Sequence, residues 1–407
     1  MIRYHAAWVV PIEGEPIRDG WVTIDRGRIV ALGRRAANDA TPGVELGDVA
    51  VMPGLVNAHT HLELSYLRDQ VPPESSFTMW ARHIIAERRK RLHMPGRDPV
   101  VLSAIDAAID ESVRCGTAVV GEITNGLFIT YEKLAASPLA GVVFWELLGF
   151  NLKGDFDKIV ADAVASLGEL PASDSVRPSL AAHAPYSVAP LFFQAIKKAV
   201  AKMPFVPCSV HLAEGEEEVQ LLKTGDGPWK AIMKDIGAWN HEWTPPGVGP
   251  LKYLDDMGFI DNRLLVVHGV QMSAADLERL KERGATLVTC PRSNGHTGAG
   301  LPPIADFFES GVRIAIGTDS LASSPDLSVF AEIATLHALA PSVPSASLLE
   351  SATIEGARAL GFDADYGTIE PGKLARLLAI DVPPGTADVE EYLVSGIHPD
   401  QIRWIDS

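Results

Sequence analysis

The sequence predicts an α/β protein built on a (β/α)8 TIM-type barrel, and three observations predict it. Between residues 49 and 316, short β-rich apolar runs alternate with helix-length amphipathic segments, the signature of parallel βαβ units. The runs number eight, the count at which such a sheet closes on itself. No Gly-x-Gly-x-x-Gly, the mark of an open dinucleotide-binding sheet, follows the first run.

The elements follow in order. Residues 1 to about 50 read as short strands. An apolar run occupies 6–10; residues 20–24 alternate and lead through Asp25-Arg26-Gly27-Arg28, a tight-turn signal, into 29–32. The run at 49–56, broken by Pro53-Gly54, reads as a short buried strand whose C-terminal end carries His59-Thr60-His61. The other seven runs are 117–120, 141–146, 179–182, 205–212, 264–267, 286–289 and 313–316. Helix-like segments lie between them at 99–115, 155–170, 189–202, 216–223, 273–283 and 304–310. Two long insertions, 62–98 and the Gly-, Pro- and Trp-rich 224–250, follow the first and fifth runs. A barrel places such loops on its active face. Residues 347–360 have the spacing of a buried helix ending at Gly361, and 374–381 read as a further strand after a turn-rich stretch. The C-terminal strands can pair with the N-terminal ones. The expected domains are therefore 1–52 and 363–407, the two parts of one small β domain, and 53–362, the barrel.

Composition narrows the function. A net charge of −17 repels phosphate backbones, so nucleic acid is not an expected partner. The basic stretch Arg82 to Arg91 reads as an exposed helix face. The three cysteines, Cys115, Cys208 and Cys290, are far apart and flanked by apolar residues. That fits buried thiols better than disulfides or a Cys-x-x-Cys metal site. The residues after Met1 form no apolar signal core, and no apolar run reaches membrane-spanning length. A cytoplasmic protein with no membrane contact is expected, and a homodimer is left open.

Chemistry-bearing residues collect where a barrel puts them, at the C-terminal ends of strands. His59 and His61 share one side of a strand end. His211 ends the fifth run, His268 the sixth and Asp319 the eighth. Any one of these has a structural explanation, but the set points to a metal site. Imidazole with carboxylate suits one divalent ion, zinc ahead of ferrous iron. Glu214, in His-Leu-Ala-Glu, is placed for general acid–base work beside a metal-bound water. Glu216, Glu217 and Glu218 read as a solvated helix start. His183, at the end of the fourth run, reads as a substrate donor or a structural histidine. Glu63 could accept from sugar hydroxyls or orient a metal ligand. Ser293 and Asn294 end the seventh run within reach of substrate, and Arg292 either joins them or pairs with surface acids.

The sequence resembles the amidohydrolase superfamily, over essentially its whole length. The resemblance is carried by Pro53-Gly54-Leu55-Val56-Asn57-Ala58-His59-Thr60-His61, His-Ala-Pro-Tyr-Ser at 183–187, His-Leu-Ala-Glu at 211–214 and His268-Gly269. Cys-Pro-Arg-Ser-Asn at 290–294, Gly-Thr-Asp-Ser at 317–320 and the closing Gly-Thr-Ile-Glu-Pro-Gly-Lys at 367–373 complete it. It implies a barrel with a composite β-sandwich from both termini. It also implies His59, His61, His211 and Asp319 as metal ligands, and His268 binding or orienting the hydrolytic water. Two-metal members bridge their ions with a carboxylated lysine after the fourth strand. Here that run ends at His183 with no lysine, which implies a mononuclear centre, as in the deaminase/chlorohydrolase branch. In the deaminases of that branch the Glu of His-x-x-Glu is the proton shuttle. Arg376 departs from the aspartate many members carry in a closing Ala-Asp-Leu.

Within the branch, His-Thr-His-Leu-Glu-Leu-Ser followed by Phe77-x-x-Trp80 is similar to the aminodeoxyfutalosine deaminases of menaquinone biosynthesis. That implies a small heterocyclic substrate, an adenine nucleoside losing its exocyclic amine, with Trp80 among the substrate contacts. Deaminases of S-adenosylhomocysteine, methylthioadenosine or guanine share the motif, as do chlorohydrolases, and amide hydrolysis is a further alternative.

Overall fold

The computed structural model describes residues 1–36, 41–91, 98–203 and 206–405. Five strands come first: β1 (Ile2–Val9), β2 (Ile17–Asp25), β3 (Arg28–Arg34), β4 (Val44–Glu45) and β5 (Val49–Pro53). Arg26 and Gly27, at φ 50° and 74°, make the two-residue turn between β2 and β3, the left-handed geometry that suits strand twist. Eight barrel strands follow: β6 (Leu55–Thr60), β7 (Thr117–Thr124), β8 (Ala140–Leu147), β9 (Val176–Ala182), β10 (Cys208–Leu212), β11 (Leu264–His268), β12 (Thr286–Thr289) and β13 (Arg313–Ile316). Two more, β14 (Leu377–Asp381) and β15 (Ile402–Trp404), end the described chain.

Strands from both ends share one seven-stranded sheet, in the order β15-β14-β5-β1-β2-β3 with β4 beside β1. Alternation decides what each face buries. Val49 and Val51 of β5, with Leu377 and Ala379 of β14, join an apolar core with Tyr4, Val22 and Ile369. Ala50, Met52, Leu378 and Ile380 point the other way, into the main core shared with the barrel. Arg376, where the family often has aspartate, lays its guanidinium 4.2 Å from the Trp404 ring centroid.

The run at 49–56 is two strands rather than one. β5 belongs to the terminal sheet and β6 opens the barrel, so the chain changes sheets at Gly54. No side chain fits there: a Cβ would stand 2.7 Å from Ala118 Cβ and 2.9 Å from the Trp404 ring.

The barrel strands pair in parallel from β6 to β13 in chain order. The seam between last and first is closed by the backbone N–H groups of Thr318 and Asp319, both donating to His59 O at 3.1 Å. Asn57 Nδ2 donates to Thr318 Oγ1 at 2.7 Å across the same seam. Gly317 permits this approach, because a Cβ on it would meet His59 Cβ at 2.7 Å. Closure thus runs through two of the expected metal ligands.

The helices depart more from expectation. The insertion at 62–98 contains a helix, Phe77–Arg89, started by Ser76 Oγ accepting from Met79 N. Residues 224–250 carry the helix Pro228–Asp235 and the start of Pro250–Asp256. A helix at Leu127–Ala135 fills the β7–β8 crossover, and Val329–Leu339 follows β13. The segment 347–360 is split into Ser345–Ser351 and Ile354–Leu360 by Thr353, at φ −134° and ψ −91°. Residue 205, the expected start of the fifth strand, and residues 92–97 of the first insertion lie outside the described residues.

Candidate active site

Four imidazoles crowd the C-terminal mouth of the barrel. The His59 ring centroid lies 4.9 Å from that of His61, 5.0 Å from His211 and 5.7 Å from His268. Asp319 Oδ1 is 3.9 Å from His59 Nε2 and 3.7 Å from His61 Nε2. Burial, followed by repulsion from neighbouring imidazoles, holds His59 and His61 well below the ordinary histidine range. Their rings are therefore neutral, with lone pairs to give. Both nitrogens of His59 are buried without a hydrogen-bond partner among the described residues, a costly state for a polar ring. Ligand atoms of His59, His61 and Asp319 lie within 4.8 Å of one another, as do those of His59, His211 and His268. This donor set fits a borderline divalent cation.

Two of these groups reach their places through strained backbone. His268 has φ 78° and Asp319 φ 58°, and Ala213, beside Glu214, has φ 53°. Left-handed non-glycine residues cost about 1–3 kcal/mol each and persist where surrounding structure fixes them. Glu214 is 3 % exposed, with Oε1 3.5 Å from His268 Nε2. Burial, then the nearby Asp319, pushes its carboxyl well above the ordinary range. Of the three acids after it, Glu218 is not solvated: it is fully buried, and its Oε2 accepts from Glu214 N at 3.1 Å. That bond holds the turn carrying Glu214. Burial lifts the Glu218 carboxyl to about 8. Glu217 accepts from Thr78 Oγ1 at 3.1 Å, at the start of the helix Phe77–Arg89, and Glu216 is exposed.

Ser293 and Asn294 fall one layer behind the cavity, not on it. Ser293 Oγ donates to Asp319 Oδ2 at 2.5 Å, joined by Ser323 Oγ at 3.2 Å. Asn294 Nδ2 lies 3.1 Å from His268 Nδ1, which leaves His268 Nε2 facing Glu214. The reason is local: Pro291 starts a short helix, Pro291–Thr297, that turns both side chains inward, where each is fully buried. Arg292 pairs with Asp326 at 2.8 Å and approaches Glu332 at 3.6 Å. Glu63 is likewise behind the wall. Its Oε2 accepts from Thr124 Oγ1 at 2.6 Å, Asn125 N at 3.1 Å and Gly126 N at 2.8 Å. It supplies the cap that the helix Leu127–Ala135 lacks from its own N-cap residue.

Above the imidazoles lies a cavity of about 240 Å³ that His61, His183, His211, Glu214, His268 and Asp319 help to line. Phe77 and Trp80 stack at 6.0 Å on its wall, and Tyr186 stacks on Trp229 at 3.8 Å. His183 Nδ1 is 2.5 Å from Ser187 Oγ, and burial brings the ring down to about 3, a neutral donor–acceptor. Two charged lining residues, Glu146 and Arg88, are not singled out by the sequence. Glu146 ends β8 with Oε1 3.6 Å from His211 Nδ1 and 4.0 Å from His183 Nε2. The strand-end rule that found His211 could have found it. Arg88 sits in the basic stretch expected to face solvent, and nothing in its spacing separates it from Arg89.

Fold and site together define a (β/α)8 hydrolase with a histidine–aspartate centre. The chain belongs to the Amidohydrolase family, whose sequence pattern matches residues 50–397. It is 31 % identical to a 5-methylthioadenosine/S-adenosylhomocysteine deaminase of Halobacterium salinarum, over 90 % of this chain and 80 % of that protein. It is 29 % identical to an aminodeoxyfutalosine deaminase of Deinococcus radiodurans, over 78 % of this chain and 75 % of the relative. The crystal structure of a zinc-bound adenosine deaminase from Xanthomonas campestris superposes with a TM-score of 0.80 at 28 % identity, covering 98 % of this chain and 90 % of that one. Among the described residues no helix is long and apolar enough to cross a membrane.

Proposed function

We propose that this amidohydrolase is a metal-dependent deaminase of adenine nucleosides, with aminodeoxyfutalosine its favoured substrate. One observation carries the proposal: a buried Glu214 carboxyl, held by burial well above the ordinary carboxylate range, stands 3.5 Å from His268 beside the imidazole cluster, in a cavity walled by aromatic rings. His59, His61, His211 and Asp319 would hold one divalent ion, zinc ahead of iron. When bound, such an ion lowers the pKa of coordinated water to about 7, making hydroxide available at neutral pH.

The chain's own residues then divide the work. Aromatic side chains such as Trp80 and Trp229 hold the flat base and exclude water. Protonated Glu214 gives its proton to the ring nitrogen beside the amine-bearing carbon. His268 and Asp319 orient the attacking water, and Asp319 draws off its proton. As the new C–O bond forms, the ring carbon becomes tetrahedral. The proton held by Asp319 passes to the amine, the proton of the new hydroxyl returns to Glu214, the C–N bond breaks and ammonia departs. The sum is one water consumed, one ammonia released, and adenine converted to hypoxanthine.

The preference for aminodeoxyfutalosine is supported by Phe77 and Trp80, both on the cavity wall, and by the Deinococcus radiodurans relative. Zinc-loaded protein should release ammonia from at least one of aminodeoxyfutalosine, methylthioadenosine, S-adenosylhomocysteine, adenosine and guanine, the adenine compounds read by their ultraviolet shift. The highest kcat/KM is expected for the first. Silence across the panel, or chloride release from a chlorotriazine instead, would overturn the deaminase assignment.

A further inference from the structure

The helix Phe77–Arg89 touches the mouth at both ends. Its last turn gives Arg88 to Asn125, after β7, and its first turn meets the turn after β10 that carries Glu214. Gly215, next to the acid, is buried, with φ −114° and ψ 154°. Any residue adopts that backbone, so glycine is needed there for space. A Cβ on it would stand 3.1 Å from Phe77 Cβ and 3.3 Å from Phe77 Cδ1. Beside this contact the buried Thr78 donates through Oγ1 to Glu217 Oε1 at 3.1 Å, and Thr78 N lies 3.5 Å from the same oxygen. The free N–H groups of a helix start favour a negative charge in that place.

The helix start is the fixed side of the contact. Glu74 N donates to His296 O at 3.0 Å, and His296 Nε2 lies 3.0 Å from Val71 O. At Gly298 the two segments touch, since a Cβ on it would stand 2.5 Å from Ser76 N. His296 belongs to the helix Pro291–Thr297, whose start supplies Ser293 and Asn294. The turn carrying Glu214 is strained instead. Ala213 is left-handed at φ 53°, a conformation that lasts only where neighbours hold it. From behind, Glu218 Oε2 accepts from Glu214 N at 3.1 Å. From the insertion side, Phe77 and the Thr78–Glu217 pair close over the turn. Phe77 also lines the cavity and meets the Trp229 ring edge-on, centroids 5.7 Å apart. The side chain offered to a bound base is thus the one that abuts the acid's neighbour.

We infer that Thr78 and Glu217 are positioning residues for Glu214. Their bond docks the helix of the first insertion on the turn 213–215 and fixes where the acid's carboxyl stands. The inference rests on the deaminase assignment for what Glu214 does, and its test reads the turn with and without turnover. T78V removes the donor at nearly constant shape, E217A removes the acceptor, and T78S keeps the hydroxyl. On zinc-loaded proteins, kcat and KM are measured with whichever nucleoside wild type deaminates fastest. Hydrogen exchange of the segments 77–80 and 213–218 is followed by mass spectrometry.

T78V and E217A should each lower kcat about 10-fold, less than the 100-fold or so that a 1 Å misplacement can cost, with KM within about twofold of wild type. Combined, they should cost no more than the worse single variant, the mark of one shared interaction. Exchange at 213–218 should quicken about 10-fold in both, and T78S should restore both readings. A bond that only capped the helix would quicken exchange at 77–80 alone. T78V leaving kcat or the exchange at 213–218 unchanged would overturn the inference, as would a rise in KM at constant kcat, which would make the helix a wall and nothing more. If wild type deaminates no nucleoside but the exchange pattern holds, the docking stands and it is the deaminase assignment that fails.

Discussion

The two sides of the barrel mouth are built differently. On the side of β10 to β13, each reactive group has a fully buried partner. Ser293 holds Asp319, Asn294 holds His268 and Glu218 holds the backbone of Glu214. On the side of β7 to β9, Glu146, Asn125, Glu63 and Arg88 form a chain of contacts that ends at a side chain 39 % exposed. The first arrangement fixes atoms to within the tolerance that proton transfer needs. The second places a charge on a helix from a long insertion, off the barrel strands themselves. The groups proposed for the chemistry sit at the ends of barrel strands, and Arg88 on what is laid over them.

The sharpest way to break this comparison is to remove the proton and keep the shape. Glu214→Gln should bind zinc as wild type does, by elemental analysis, and lose about 10²–10⁴ of kcat, the usual span for general acid–base catalysis. A variant keeping more than about a tenth of the activity would move the proton shuttle elsewhere, Glu146 being the next buried carboxyl on the cavity.

A smaller effect is expected one layer back. Ser293→Ala removes the 2.5 Å bond to Asp319 Oδ2 but leaves Ser323 at 3.2 Å. Loss of a group that orients a metal ligand costs about 10- to 100-fold in metal affinity or activity. Chelator competition should show weaker zinc binding by that order, with the fold intact by circular dichroism. Unchanged affinity would mean that Ser323 alone positions Asp319.

The same division explains what the sequence could and could not reveal. Strands at 286–289 and 313–316 have the bounds expected from their apolar runs. Buried parallel strands are near-continuous apolar segments, and a residue ending one must face the mouth. That rule puts His59, His211, His268 and Asp319 at the mouth, and there the structure brings them together. The helix Leu127–Ala135 was not legible, because Leu-Phe-Ile-Thr-Tyr has the β-branched and aromatic make-up of a strand. Its start is capped by Glu63, a residue 63 positions before Gly126. Glu218 was misread because burial of an acid depends on what packs over it, and that is tertiary. Arg88 failed for a similar reason: a row of basic residues on a helix does not say which one bends back over the barrel.

Glu63 tests whether the two sides are as separate as their contacts suggest. Its carboxylate meets three donors at the start of the helix Leu127–Ala135 and stands 3.6 Å from Arg88. Glu63→Gln keeps an acceptor oxygen but removes the charge. A carboxylate at a helix N-terminus is worth about 0.3–1 kcal/mol at the surface and up to about 2 kcal/mol when partly buried. A loss of about 1 kcal/mol in urea denaturation is therefore expected. Arg88 keeps Asn125 as a partner at 2.8 Å, so kcat/KM for the deaminated nucleoside should fall only about two- to threefold. If Glu63→Gln instead abolished turnover of every substrate with the metal still bound, the insertion side would belong to the chemistry itself, and the separation drawn between the two halves of the mouth would not stand.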